Sequence, residues 1–349
     1  MKALIYKGIS RVEVETVDDP VLPGDDGAIV RVTMSGICGS DLHQYHVDPG
    51  VGSYCMGHEA VGIVVETGAN VASFKKGDRV LVSAILSCGR CASCSTGNVQ
   101  LCQVFGPRIF GQGMHGLGGC QAEFVAVPEA DHNMTALPSA ISDDVGIMLT
   151  DNLATAWYHA KRARVSPGES VAVIGLGPVG QQCVLAAAAL GAERIFAIDL
   201  LAERRKRAAA LGAEPIDDGD AVQGVLGATA GIGVDVVLDA NGGPTTVAMA
   251  LDMMRFGGRV AMIGVPESLT MDFPVFASVL KSLEFHTGAT PVQAQLPELL
   301  DALETGRLNA KTIESLVTHR MGLTEAQQAF RLFADRKDDV LKVVLDPAR

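Results

Sequence analysis

From residue 27 the chain sets out short runs of β-branched and apolar residues, GAIVRVTM, AVGIVVETG and DRVLVSA, divided by glycine, proline and aspartate. Runs of this kind between turn residues predict strands, and the first 150 residues are expected to be all-β. The pattern changes near Thr150. From ESVAVIGLG onward, β-type runs (SVAVIG, RIFAID, VDVVLDA, RVAMIG, LEFHTG) alternate with helical stretches (PVGQQCVLAAAAL, LLAERRKRAAAL, PTTVAMALDMM). Such alternation predicts a parallel sheet covered by helices. Residues 291–349 abandon it. There QAQLPELLDALETG and LTEAQQAFRLFAD read as helices and DVLKVVLD as a closing strand. This last segment is expected to return to the first domain, giving boundaries of 1–150, 151–290 and 291–349.

A length of 349 residues agrees with two domains. No uninterrupted apolar stretch approaches the roughly 18 residues of a membrane span. The most apolar region, SVAVIGLGPVGQQCVLAAAALGA, is broken by Pro178 and by Gln181 and Gln182. The opening MKALIYKGISRVEVE carries too short an apolar run for a signal peptide. A soluble, cytoplasmic protein is expected. Its net charge of −12 argues against a nucleic acid or an anionic membrane surface as partner.

Four of the eight cysteines lie in one loop, CGRCASCSTGNVQLC, as Cys88, Cys91, Cys94 and Cys102. Disulfide frameworks belong mainly to small secreted domains. The spacing C-x2-C-x2-C-x7-C instead lets thiolates converge on the corners of a tetrahedron, which suits zinc. Gly89 and Gly97 supply the sharp turns. An iron–sulfur cluster is the competing occupant, and free loop thiols are the plain alternative.

Gly175, Gly177 and Gly180 form G-x-G-x-x-G between a predicted strand and a predicted helix, the context in which this motif binds a dinucleotide. The first glycine permits a tight turn, the second close approach of a pyrophosphate, and the third helix packing on the strand. The helix N-terminus offers free N–H groups to phosphate. Asp199 ends the next strand, where a carboxylate accepts from an adenosine ribose and repels the 2′-phosphate of NADP. NAD is therefore the expected cofactor. Arg204, Arg205 and Arg207 follow on the next helix, where a solvated face is expected, with Arg204 near enough to touch the ribose. Ordinary turn chemistry for the glycines and a helix cap for Asp199 are the alternatives.

Three further segments, SGICGSDLHQYH, CMGHEAVGIVVETGANV and LTDNLATAWYHA, complete a pattern. With them the chain resembles the zinc-dependent medium-chain dehydrogenase/reductase family over nearly its whole length, and within it the bacterial secondary-alcohol dehydrogenases. The resemblance implies an α/β protein: a chaperonin-10-like β domain plus a Rossmann domain with a doubly wound parallel sheet, and an active site in the cleft between them. It implies that Cys88, Cys91, Cys94 and Cys102 hold a structural zinc, and that Cys38, His58 and Asp151 hold a catalytic one. Aspartate at 151, where many members have cysteine, points to the secondary-alcohol branch. Read alone, Asp151 is also an N-cap. Glu59 is expected as an occasional ligand or a neighbour of the ligands, and Ser40 and His43 as a proton relay. Pro178, Val179, Gly264 and Val265 are expected to join the cofactor contacts.

Three protein ligands leave zinc an open position, and zinc as a Lewis acid lowers the pKa of an alcohol there. Hydride then passes between the alcohol carbon and the nicotinamide. The resemblance thus implies an NAD-dependent zinc alcohol dehydrogenase, a homotetramer acting on a small alcohol or ketone. A polyol or amino-alcohol dehydrogenase is the alternative within the family, and a catalytically silent zinc-binding homologue the alternative outside enzymes. His46, His115 and Cys55 are read as loop or lining residues, Cys120 and Cys183 as core thiols. The glycine-rich FGPRIFGQGMHGLGG is expected to border the pocket.

Overall fold

A computed structural model describes residues 1–113, 116–217, 219–266 and 270–349. The chain divides into two compact units, Met1–Ala154 with Pro291–Arg349, and Thr155–Thr290.

In the first unit the three leading β runs become the strands Ala28–Ile37, Ala60–Thr67 and Arg79–Val82. They lie side by side, antiparallel, in a sheet that continues on one flank to Met134–Ala136 and on the other to Lys342–Asp346 and Val317–Gly322. Alternation along the strands turns Val30, Val32, Val64, Val80 and Val82 into one core with Phe110 and Val125. Leu4, Tyr6, Ile37, Phe330 and Leu345 anchor a second. Register is the part that matters for chemistry. Ser35 pairs with Ala60, and Ile37 pairs with Val343. The end of one strand therefore lies against the start of the next, with the Lys342–Asp346 strand on its other side.

The first 150 residues are not purely β. Gly39–His46 is a helix whose Asp41 carboxylate accepts from the Cys38 N–H at 3.0 Å, closing its first turn. Asp143–Leu149 is a second helix, capped by Ser142 Oγ and carrying Asp143 and Asp144 in its first turn, where acidic groups complement the helix dipole. Helices of 8 and 7 residues span too few turns for their period to show in the sequence.

The second unit is the predicted parallel sheet. Its order is Glu214–Pro215, Arg194–Ile198, Ser170–Ile174, Val234–Asp239, Met254–Met262, Glu284–Thr287, and every pairing is parallel. The order reverses between Ser170–Ile174 and Val234–Asp239. Ile198, Ile174, Asp239, Met262 and Thr287 stand in register, so their carboxyl ends form one level edge. The helix Pro178–Ala189 is buried on most sides, and Gln181 and Gln182 go in with it. Their amide nitrogens donate to carbonyls of Leu176, Arg204 and Pro178, which pairs these buried donors without solvent.

Three elements of this unit lack a sequence signal. Glu214–Pro215 is two exposed residues. Ala221–Ala228 contains two glycines, which lower helix propensity. Val275–Lys281 carries apolar residues at helical spacing but buries none of its side chains, and at 7 residues it is too short for that spacing to stand out in the sequence. Its Val275, Phe276, Val279 and Leu280 are 60% to 75% exposed. Among the described residues no helix is long and apolar enough to cross a membrane.

Candidate functional site

Cys38 caps the Gly39–His46 helix at the end of its strand, His58 and Glu59 precede the neighbouring strand, and Asp151 sits in the turn between two helices. Thr150 closes the first of these, its hydroxyl donating to Ile147 O at 2.7 Å. The register described above brings Cys38, His58 and Glu59 together, and the turn between the helices adds Asp151, with one donor atom from each within 4.8 Å of the others. Cys38 Sγ lies 3.2 Å and His58 Nε2 3.5 Å from the same oxygen, Asp151 Oδ2. A tetrahedron with zinc–ligand bonds of about 2.0–2.3 Å has edges of about 3.3–3.8 Å, so the spacing fits zinc.

Asp41, which the sequence reading passed over, fixes the imidazole. Its Oδ1 faces His58 Nδ1 at 3.2 Å, and Oδ2 accepts from Cys38 N and from Gln121 Nε2. A carboxylate on the far nitrogen leaves Nε2 for the metal. Burial pulls His58 down, but Asp41, Asp151 and Cys38 outweigh it and hold the ring well above the usual histidine range. Burial raises Asp151 too, yet the hydrogen bond and charge of His58 bring its carboxyl to about 2. The Cys38 thiol is pushed up by burial and then by Asp151. Ser40 Oγ lies 3.4 Å from His58 Nε2. His43 follows Ser40 by three positions on the same helix, half-buried, and among the described residues no hydrogen bond joins the two.

Glu59 is fully buried and spoken for at both oxygens. Oε1 accepts from Asn152 Nδ2 at 3.0 Å, and Oε2 is ion-paired with Lys342, which is equally buried. Lys342 Nζ also donates to Asn152 Oδ1 at 2.8 Å and to Ile37 O at 3.3 Å. Burial raises the Glu59 carboxyl, and the ammonium opposes it. Gly36 makes the room, since a Cβ there would stand 1.7 Å from Glu59 Oε2. Neither Asn152 nor Lys342 was picked out from the sequence. The available signal was one lysine inside the apolar run VLKVVL.

In the cysteine loop, Cys94 Sγ lies 3.4 Å from Cys91 Sγ and 4.0 Å from Cys88 Sγ, and all four sulfurs lie within 4.8 Å of one another. Gly89 and Gly97 take φ of +70° and +79°, which suits glycine. Gln103 N donates to Cys91 Sγ and Phe105 N to Cys102 Sγ, each at 3.4 Å. The Gln103 bond leads a set that lowers Cys91 to about 6. Cys102 is lowered against the pull of burial by its N–H donors, whereas burial lifts Cys94 to about 12. Amides aimed at sulfur favour thiolates, as a tetrahedral zinc cage requires. Cys120 and Cys183 are fully buried, Cys55 lies in a two-residue strand paired with Ile5 and Tyr6, and His46 is exposed. His115 lies outside the described residues.

The glycine turn of the second unit gives each glycine its own constraint. Gly175 has φ +81°. A Cβ on Gly180 would stand 1.8 Å from Gly175 O, while one on Gly177 would meet only Arg204 Nη1, at 3.6 Å. That open face, beside a helix beginning at Pro178 and Val179 with no side-chain cap, fits a phosphate. Asp199 reaches back to the turn: Oδ2 accepts from Leu176 N at 2.7 Å, Oδ1 from Leu201 N at 2.8 Å, and Arg204 Nη1 stands 3.7 Å away. Arg205 is not on a solvated face. It is buried, drawn back to the carbonyls of Asp199 and Leu200 at the strand end. Gly264 packs on Asn241, and Val265 is exposed.

Residues 24–139 match the family described as the alcohol dehydrogenase GroES-like domain, and residues 178–305 that described as zinc-binding dehydrogenase. A probable zinc-binding alcohol dehydrogenase of Mycobacterium tuberculosis is 40% identical over 348 residues, 99% of this chain and 89% of the relative. Among solved structures, an alcohol dehydrogenase from a Thermus species is 39% identical with a TM-score of 0.90, over 99% of each chain. The 2R,3R-butanediol dehydrogenase of Bacillus subtilis is 27% identical with a TM-score of 0.84, also over 99% of each. The chain belongs to the zinc-dependent medium-chain dehydrogenase family, and its β unit and parallel sheet are that family's GroES-like and Rossmann folds.

Replacing Lys342 with Met strands the Glu59 carboxylate in the core. The expected loss is about 3–5 kcal/mol, read from urea unfolding of metal-loaded and metal-free protein. Adding Glu59→Gln should restore most of it. Equal stability of the single and double variants would show that the pair is not coupled.

Proposed function

We propose that this protein is a zinc- and NAD-dependent alcohol dehydrogenase interconverting a secondary alcohol and its ketone. The observation that carries the reading is the buried meeting of Cys38, His58 and Asp151 while Lys342 and Asn152 occupy Glu59. Three protein donors then face the metal, and a fourth position is left for substrate. Zinc, when bound, supplies the Lewis acidity that lowers an alcohol's pKa. Ser40 Oγ, beside His58, is the hydroxyl placed to take the alcohol proton, and His43 the next station toward solvent. Glu59 acts as a positioning group rather than a ligand. Cys88, Cys91, Cys94 and Cys102 hold a second zinc with no open position, so each chain carries two.

Asp199 supports NAD: Leu176 N holds its carboxylate against the glycine turn and Leu201 N fixes it at the strand end, where its charge opposes a 2′-phosphate. Pro178, Val179, Gly264 and Val265 line the same edge. Likeness to a butanediol dehydrogenase favours a diol or polyol as the second reading of the substrate. Cysteines grouped for metal binding rather than paired in disulfides support a reducing, cytoplasmic setting. The apolar face of Val275–Lys281, in the unit whose sheet ends at Glu284–Thr287, supports a homo-oligomer, a tetramer by family likeness.

The test is NAD-linked oxidation screened over aliphatic, aromatic and polyhydroxy alcohols, with metal analysis alongside. Secondary alcohols should lead, with two zinc ions per chain. Asp151→Asn should lose one of them and lower turnover by more than about 100-fold, leaving the cysteine-bound zinc in place. Full zinc and normal turnover in that variant would reduce Asp151 to a helix cap. For the cofactor, Asp199→Gly should shift the preference toward NADP by about tenfold or more, and an unmodified enzyme that prefers NADP would remove the basis of the NAD assignment. For assembly, Val279→Asp should yield smaller species in sedimentation velocity. A wild-type monomer would rule the oligomer out.

A further inference from the structure

One buried carboxylate plays no part in the chemistry above. Asp239 ends the strand Val234–Asp239 at the point where the sheet order reverses, and it is fully buried. Among the described residues no lysine, arginine or histidine nitrogen lies within ion-pair distance of it. Its partners lie in the turn that follows and at the start of the helix Pro244–Met253: Oδ1 accepts from Asn241 N at 3.0 Å and Gly242 N at 3.1 Å, and Oδ2 from Thr246 Oγ1 at 2.9 Å. Burial raises its carboxyl against these donors. A buried carboxylate without a counter-ion depends on such donors, so it is tied to the backbone that supplies them.

The turn it holds is wedged between two others. A Cβ on Gly175 would stand 3.3 Å from Asn241 Cβ. On the opposite side, a Cβ on Gly264 would stand 2.2 Å from Asn241 O, and one on Gly242 2.1 Å from Gly264 O. Loops from three neighbouring strands thus approach at backbone distance, with Asn241 itself exposed between them. In open parallel sheets, ligands bind outside the carboxyl ends of the strands where the order reverses. The glycine turn Gly175–Gly180 is one wall of that crevice.

We infer that residues 240–243 are the opposite wall and that Asp239 is the positioning residue that holds them, keeping Asn241 clear of the space a dinucleotide needs beside Gly177. This rests on the dinucleotide reading of the second unit. The role is geometric: asparagine at 239 would still accept the two amides through its oxygen and donate to Thr246 Oγ1, whereas alanine would leave both amides bare.

The experiment is calorimetric binding of ADP-ribose and NADH to zinc-loaded full-length protein, with no alcohol present. Asp239→Ala should weaken both ligands about tenfold, and Asp239→Asn should remain within about twofold to threefold of wild type. Thr246→Val, which removes one of the three bonds, gives a milder variant with an intermediate loss should the alanine form fail to fold. Val260→Ala, in the same unit's core, serves as a control of reduced stability and should bind normally. Wild-type affinity in Asp239→Ala or Thr246→Val, or an asparagine variant as weak as the alanine one, overturns the positioning role. A wild-type protein that binds neither ligand overturns the dinucleotide reading instead.

Discussion

The mixed-ligand centre depends on one piece of strand register. Because Ser35 pairs with Ala60 and Ile37 with Val343, the chain leaves one strand at Cys38 just where it enters the next from His58, with Lys342 alongside. A shift of one residue in either ladder turns every side chain to the opposite face, and sulfur, imidazole and carboxylate would no longer meet. Register here is fixed by burial. The valines that point into the core cannot be exchanged for their outward neighbours without exposing the whole set.

The two clusters of donors are built on different principles. The cysteine loop is local: its four sulfurs come from 15 consecutive residues, and nearby amides bend toward two of them. The other centre draws on residues far apart in the chain and is surrounded by groups that are equally distant. Lys342 and Ile37 are 305 positions apart. The cysteine loop needs only its own turns, while its counterpart needs the whole sheet.

That contrast explains what the sequence could disclose. The alternation of β runs with helices announced the parallel sheet, and the spacing of Cys88 to Cys102 announced four sulfurs gathered in one loop, because both are short-range patterns. Cys38, His58 and Asp151 were found through motifs. Asp41, Asn152 and Lys342 were not, since what makes them matter is a partner elsewhere in the fold. Arg205 was misread for the same reason: its helix position suggested solvent, but strand-end carbonyls draw the guanidinium inward. The Val275–Lys281 helix, 7 residues long, is too short for its apolar spacing to stand out.

The placement of Lys342–Asp346 within the sheet bears on how the protein is made. Domains tend to fold as their residues emerge from synthesis, the earlier ones first. The cysteine loop is complete long before the second unit exists, and zinc could be captured there at once. The strand that carries Lys342 is synthesised only after all of Thr155–Thr290. Until it arrives, Glu59 has no cation and Ile37 has no partner on that side. The first unit therefore waits, part-built, while the second is finished, and the cluster of Cys38, His58, Glu59 and Asp151 gains its last neighbour only at the end of synthesis.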